Sequence, residues 1–183
     1  MTGRPPRDDE AYVGLGGNVG DREAALRAAI EALGACVVAV GPLVETEPWG
    51  ILDQAWFLNG VVRLRWTEGP EALLARCLAI EAQLGRVRAE RNGPRVLDLD
   101  VLLVGPSVRD APGLTVPHPG IAHRRSVLEP FAALAPDLLV PGLDLPLALL
   151  RQRAEQLPGQ RVRSLAGAES LQSGTLDAPG LEE

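Results

Sequence analysis

The chain has 183 residues, a formal net charge of −6 and two cysteines. This length suits one domain with its own hydrophobic core, so neither disulfides nor a structural metal is needed for folding. No stretch approaches the roughly 18 to 20 consecutive apolar residues that cross a bilayer, and the negative charge argues against general binding to nucleic acid. We therefore expect a soluble, cytosolic, monomeric protein without a membrane or nucleic-acid partner.

All 18 basic side chains are arginines, because the sequence contains no lysine. This excludes a Walker A phosphate loop, a Schiff-base lysine and the strand lysine of protein kinases. If the protein handles ATP, arginine and metal must neutralise the phosphates. Cys36 and Cys77 lie far apart in apolar segments and are predicted to be reduced core residues.

The first part of the chain predicts a strand, a helix and two further strands. A short buried strand is predicted over residues 11–17, and Asp21 can cap the helix that follows it. The apolar run 36–44 has the length and valine content of a second strand, and residues 56–66 predict a third. Alternation in the third strand separates an apolar face from a face that belongs to the surface or to a site. The residues of that second face are Phe57, Asn59, Arg63 and Arg65.

A second helix is predicted from Pro70 to Gly85, where the glycine ends the helical spacing of the apolar residues. A polar loop follows, and residues 96–104 then form another strand that carries Asp98 and Asp100 on one face. The resulting order is βαββαβ. With two helices covering one face of a mainly antiparallel sheet, this order predicts a ferredoxin-like α+β sandwich.

The rest of the chain is less regular, with helical segments predicted near residues 127–134 and 145–153. Residues 1–10 are polar and are predicted to be a flexible extension. Residues 11–165 are predicted to form the folded domain, and the Gly-, Ser-, Ala- and acid-rich residues 166–183 a disordered tail.

Four glycines in and after the first predicted strand suggest a dinucleotide-binding loop, but the pattern fails. The G-x-G-x-x-G motif would need a glycine where Val19 stands. Tight turns are sufficient to explain these glycines, which are Gly14, Gly16, Gly17 and Gly20.

The strongest chemical signal is the pair Asp98 and Asp100 inside an apolar strand. Residues two apart on a strand share a face and lie ~6.6 to 6.8 Å apart, so both carboxylates can converge on one or two divalent cations. The alternative is a pair of exposed carboxylates on the solvated face of an edge strand. Like charges on neighbouring positions of one face repel each other, which favours a site.

An arginine-rich loop leads directly into this strand. Guanidinium groups suit phosphate oxygens, so the loop could balance the charge of a triphosphate held by metal on the aspartates. The alternative is a solvated charged loop. Between two prolines, His118 is either a structural residue or, together with the arginines, a nucleotide contact. The arginines of the loop are Arg86, Arg88, Arg91 and Arg95.

Several strings in the sequence match one known family. They are G-L-G-G-N-V-G-D-R at 14–22, E-T-E-P at 45–48, F-L-N at 57–59, E-A-Q-L-G-R-V-R at 81–88, G-P-R-V-L-D-L-D at 93–100 and L-T-V-P-H at 114–118. On these residues the chain resembles the 6-hydroxymethyl-7,8-dihydropterin pyrophosphokinases over about residues 11–165.

The resemblance implies the ferredoxin-like fold and a reaction of folate biosynthesis in which the pterin hydroxymethyl oxygen attacks the β-phosphorus of ATP and AMP leaves. It implies two Mg²⁺ ions held by Asp98 and Asp100. The implied catalytic arginines are Arg86 and Arg95. Implied contacts to ATP are Glu81, Arg86, Arg88, Arg95 and His118, and implied contacts to the pterin are Thr46, Phe57 and Asn59.

Two of the departures from the family concern aromatic positions. Ser126 stands where the family commonly has a second aromatic that sandwiches the pterin, so stacking rests on Phe57, alone or with Trp49 or Trp56. Asn92 replaces a tryptophan of some members. A palm-type nucleotidyltransferase or cyclase, which would release pyrophosphate, and a non-catalytic pterin- or nucleotide-binding module are the alternative functions.

Overall fold

The computed structural model describes residues 3–48, 51–85 and 93–164, within which ten strands and four α-helices are formed. The strands are β1 (Glu10–Gly17), β2 (Val37–Val40), β3 (Val44–Thr46), β4 (Phe57–Arg65), β5 (Asp98–Val104), β6 (Arg109–Ala111), β7 (Leu114–Val116), β8 (Leu139–Val140), β9 (Leu145–Pro146) and β10 (Val162–Ser164). The helices are α1 (Arg22–Leu33), α2 (Pro70–Gln83), α3 (Arg125–Leu134) and α4 (Leu147–Ala154).

The main sheet is antiparallel throughout, with strand order β10-β3-β4-β1-β5 and with β2 also paired to β4. This arrangement confirms the predicted βαββαβ order and the ferredoxin-like fold. The predicted second strand is divided in two at Gly41. A Cβ there would lie 3.0 Å from the carbonyl oxygen of Pro130, so the chain passes close to α3 at this point.

Both faces of the sheet are covered by helices. On one face, α1 and α2 pack against a core that includes Val13, Leu26 and Cys77, as the sequence predicted for two helices. On the other face, α3 and α4 pack against a second core built around Tyr12 and Phe131. The second cover is needed because the strands are apolar on both sides: alternate residues of β1 enter different cores.

Three small features were not predicted. β6 pairs with β7, β8 pairs with β9, and β10 adds to the edge of the main sheet beside β3. Strands of two or three residues give too short an alternation to be read from sequence. Cys77 is buried and Cys36 is partly buried, and both are free thiols. In the part of the chain that the structure describes, no helix is long and apolar enough to cross a membrane.

The segment before β1, predicted to be a flexible extension, makes specific contacts where it is described. Arg4 forms a parallel bridge with Leu138, through its N–H to the carbonyl of Asp137 and through its own carbonyl to the N–H of Leu139. Its guanidinium binds both carboxylate oxygens of Glu10, at 2.8 and 2.9 Å. Glu10, placed in the extension by the sequence, is the first residue of β1. The predicted tail at 166–183 lies outside the described residues.

Acid is expected to weaken the fold through Glu10. Burial alone would raise its pKa, but hydrogen bonds from Arg4, Tyr12 and the N–H of Arg7 outweigh burial and lower it from 4.5 to about 2. A lowered pKa stabilises the fold above the unfolded-state value, and this contribution is lost as the pH falls from 4.5 through about 2. We expect Glu10→Gln to cost about 1 to 3 kcal/mol at neutral pH and much less at pH near 2.

Urea unfolding at neutral and acidic pH measures this difference. The matched control is Glu68→Gln, because Glu68 is exposed. Equal losses of stability for Glu10→Gln at both pH values would contradict the role of this carboxylate.

Candidate functional site

A cleft lies between the main sheet and the N-terminal end of α3. Its floor is made by neighbouring strands, with Gly14 paired to Asp100 and Gly16 paired to both Asp98 and Asn59. Gly14, Gly16 and Gly17 therefore lie inside β1, so the prediction that tight turns explain them was wrong for these three; of the four glycines, Gly20 alone has a positive φ, of 69°. A Cβ on Gly16 would come within 3.1 Å of Asn59 Oδ1, so the absence of a side chain at this position leaves room for the Asn59 amide.

Asp98 and Asp100 both face this cleft from β5, as their spacing predicted. Burial, and then the charge of the neighbouring Asp98, raises the pKa of Asp100 from 3.8 to about 6. Two carboxylates this close, one of them poorly solvated, attract positive charge. Among the described residues no group of three or more His, Cys, Asp and Glu side chains converges as a metal cage. The pair therefore suits a cation that takes its other ligands from water and substrate, as Mg²⁺ does.

Arg95 enters the cleft immediately before β5. Its Nη1 donates to Asp98 Oδ2, and its guanidinium carbon lies 5.4 Å from the centre of the Phe57 ring. Buried Asn18 fixes the backbone of Arg95 through two hydrogen bonds. The side-chain Oδ1 of Asn18 accepts from the N–H of Arg95 at 2.9 Å, and the backbone N–H of Asn18 donates to the carbonyl of Arg95 at 2.9 Å. The arginine is thus held between the aspartates and the aromatic ring.

The three predicted pterin residues come together at one end of the cleft. Phe57 begins β4, and Asn59 follows on the same face, as the alternation predicted. Asn59 donates from Nδ2 to Thr46 Oγ1 at 2.9 Å, across the ladder between β3 and β4. This end of the cleft combines one aromatic face with a fixed amide and hydroxyl, which suits a flat heterocycle with a polar edge.

A second cavity shares Asp100 with the cleft. It contains His118, along with Leu74 from α2 and Thr115 from β7. The Nδ1 of His118 accepts from the N–H of Gly120 at 2.9 Å, which leaves Nε2 as the donor. Burial, and then the Arg124 guanidinium, lowers the pKa of His118, so the ring is neutral at neutral pH. Asp100 therefore stands at the junction of two concave sites.

Glu81 lies beneath the aspartate pair and not on the wall of either cavity. Only 3% of this residue is exposed, and its Oε1 accepts from the N–H of Leu99 at 2.7 Å. Leu99 separates the two aspartates in β5. The carboxylate of Glu81 thus fixes the strand at the point where both metal-binding candidates project from its other face.

Some predicted site residues fall outside the described residues, and Trp56 does not line the cleft. Arg86, Arg88 and Arg91, like Trp49, belong to the undescribed segments. Trp56 instead contacts β10, where the guanidinium carbon of Arg163 lies 4.0 Å from its ring centre. Among the described residues, Phe57 is the one aromatic that lines the cleft.

The sequence reasoning missed several residues on the α3 side of the cleft. They come from the start of α3 and from the segment that leads into β10. Adjacent arginines just before a predicted helix were the available signal. The missed residues are Arg124, Arg125, Val127, Gly159 and Gln160. Ser126, noted for the aromatic that it replaces, lies among them.

Comparison with known proteins identifies relatives that match most of the chain. The model of the 7,8-dihydro-6-hydroxymethylpterin-pyrophosphokinase family matches residues 12–136. The chain is 48% identical over 137 residues to the 2-amino-4-hydroxy-6-hydroxymethyldihydropteridine pyrophosphokinase of Methylorubrum extorquens, covering 72% of this chain and 86% of that protein. It is 44% identical over 156 residues to the enzyme of the same name from Pseudomonas aeruginosa, covering 81% and 96%.

Solved structures agree on the fold. The crystal structure of a Plasmodium falciparum HPPK-DHPS triple mutant with STZ-DHP has a TM-score of 0.64 and 12% identity, and the match covers 84% of this chain and 44% of that longer chain. The present chain thus spans less than half of the solved chain that it matches.

Proposed function

The chain belongs to the 7,8-dihydro-6-hydroxymethylpterin-pyrophosphokinase family, and we propose that the paired aspartates between its two cavities carry the reaction of that family. The enzyme transfers pyrophosphate from ATP to 6-hydroxymethyl-7,8-dihydropterin in folate biosynthesis. The single observation behind the assignment of the site is that Asp100 lines both cavities, so a group bound to it faces both substrates.

In this reaction the hydroxymethyl oxygen of the pterin forms a bond to the β-phosphorus of ATP. The bond between that phosphorus and the oxygen bridging it to the α-phosphorus breaks, AMP keeps the bridging oxygen, and the hydroxyl proton is released. Transfer of this kind depends mainly on positioning and on charge neutralisation. We propose that the pterin lies in the cleft, the nucleoside in the second cavity, and the phosphates between them over β5.

Asp98 and Asp100 would hold Mg²⁺, and we propose two ions per site. The fit rests on the two carboxylates of one strand face and on the raised pKa of Asp100, which reflects its burial and then the charge of the neighbouring Asp98. When bound, Mg²⁺ neutralises the phosphates and lowers the pKa of a coordinated hydroxyl. The protein's own part is to keep both carboxylates on one side of the strand. Glu81 contributes to this by accepting a hydrogen bond from the backbone N–H of Leu99, between the two aspartates.

Arginine takes the place of lysine in binding the phosphates. Arg95 is the candidate with a described position, since Asn18 fixes its backbone and its side chain is within reach of the aspartates. Arg86 and Arg88 remain predicted phosphate contacts on the basis of the family resemblance. A planar guanidinium can donate two parallel hydrogen bonds to phosphate oxygens, which suits it to hold a transferring group in one orientation.

Recognition of the two substrates is divided between the cavities. Thr46, Phe57 and Asn59 would bind the pterin by stacking and by hydrogen bonds to its polar edge. His118 would donate from Nε2 to the nucleotide, as a neutral ring whose other nitrogen is occupied by Gly120. Glu81 was predicted to contact the nucleotide; its bond to Leu99 supports a role in positioning the aspartates.

We further propose that the enzyme acts as a cytoplasmic monomer with residues 11–165 as its catalytic domain. Incubating the purified protein with ATP, Mg²⁺ and 6-hydroxymethyl-7,8-dihydropterin tests the reaction, with the nucleotide product identified by chromatography. We expect AMP in one-to-one ratio with pterin diphosphate, and no AMP without the pterin. Pyrophosphate would indicate a palm-type nucleotidyltransferase or cyclase, and absence of turnover a binding module.

A further inference from the structure

We infer that the segment 159–164, here called the strap, forms part of the pterin site and that Gln160 is a pterin-binding residue. This inference rests on the proposed use of the cleft for the pterin. Gly159 and Gln160 line the cleft, together with Arg125 and Ser126 from the start of α3. The strap therefore supplies a polar wall to a cleft in which the described aromatic lining is Phe57 alone.

The strap is joined to the strand that carries Thr46. β10 pairs antiparallel with β3, with Val162 beside Thr46. Next to this ladder, Glu47 accepts from the backbone N–H of Arg161 at 2.9 Å and from its Nε at 2.7 Å, and the N–H of Glu47 donates back to the carbonyl of Arg161 at 3.1 Å. A change in the position of the strap would thus also shift the position of Thr46.

The side chain of Gln160 is fixed at both ends of its amide. Its Oε1 accepts from the N–H of Arg125 at 2.8 Å, and its Nε2 donates to the carbonyl of His123 at 3.0 Å. Arg125 is itself held by Glu129, through bonds of 2.6 and 3.0 Å, and donates to the backbone carbonyl of Gln160 at 3.1 Å. These bonds tie the strap to α3 and give the amide one orientation.

A primary amide has two N–H donors and two acceptor lone pairs. The bonds to Arg125 and His123 use one of each. Gln160 thus has one further N–H donor and one further acceptor lone pair that these bonds do not use, and it lines the cleft. A fused heterocycle with amide-like and amino groups on its edge can pair with either group, and an amide that is already oriented loses little entropy on binding it.

The test compares Gln160→Ala with the matched control Gln152→Ala, since Gln152 is an exposed residue of α4. We expect Gln160→Ala to raise the KM for the pterin about tenfold, the effect of losing one to two well-placed hydrogen bonds. The KM for ATP should stay close to wild type, whereas the melting temperature should fall by a few degrees, because two hydrogen bonds between the strap and the start of α3 are lost. An unchanged pterin KM, or an equal rise in both KM values, would overturn the inference, as would a general loss of stability that accounts for the defect.

The proposed function and the role of the strap can be rejected separately. A wild-type protein that makes no pterin diphosphate would reject the proposed function and the strap with it. An active wild type with a normal Gln160→Ala variant would reject the strap alone.

Discussion

Replacing Asp100 with asparagine is expected to lower kcat by roughly a thousandfold or more while leaving the fold intact or slightly more stable. Asparagine keeps the size and one acceptor oxygen but removes the charge that we propose holds Mg²⁺, and loss of one such electrostatic contact typically costs two to three orders of magnitude in rate. Burial raises the pKa of Asp100, so at neutral pH its charged form is less favourable in the folded than in the unfolded chain. Removing the charge relieves that cost.

Activity and stability are therefore expected to change in opposite directions, which a misfolded variant could not produce. The measurements are steady-state turnover and thermal unfolding without metal, with Asp137→Asn as a control because the Asp137 side chain is 57% exposed. Near-wild-type turnover of Asp100→Asn would remove the metal assignment. A large fall in melting temperature would instead indicate that the carboxylate stabilises the fold.

Arg95→Ala is expected to lower kcat by about a hundredfold to a thousandfold, with smaller changes in the KM for either substrate. Arg95 reaches the aspartate pair from a backbone fixed by Asn18, so its guanidinium can meet charge that develops on the transferring phosphoryl group. A contact that strengthens in the transition state affects kcat and kcat/KM together. Arg95→Lys should recover only part of the loss, because lysine keeps the charge without the forked donors.

Steady-state kinetics with each substrate varied in turn measures this effect. Arg65→Ala is the control, since the side chain of Arg65 is 76% exposed at the far end of β4. A variant whose KM rises while kcat is unchanged would show that Arg95 binds ground states only, contrary to the role proposed for it.

The central part of the site could be predicted from sequence because local periodicity determines it. Two aspartates two residues apart on an apolar strand must share a face, and the same rule placed Phe57 and Asn59 together on β4. Predicting their faces needed no knowledge of the tertiary structure. Recognition of the family supplied the roles, which spacing alone could not give.

The α3 side of the site could not be predicted in the same way. Gln160 reaches His123 and Arg125 across 37 and 35 residues, and Arg161 reaches Glu47 across 114. Contacts of this separation leave no periodic signal in one sequence. The glycines of β1 were misinterpreted for a related reason. They were assigned to turns, whereas they lie in the sheet, where a Cβ on Gly16 would crowd the Asn59 amide.

Synthesis from the N-terminus makes the strap the last described part of the sheet to leave the ribosome. Until it arrives, the outer edge of β3 has N–H and C=O groups without a strand partner, and such an edge can pair with other chains. A growing chain that stops before residue 159 would contain the aspartates, Phe57 and Asn59 but lack one wall of the cleft. Competence to bind the pterin, and protection of this edge against aggregation, would then be acquired in the same late step of co-translational folding.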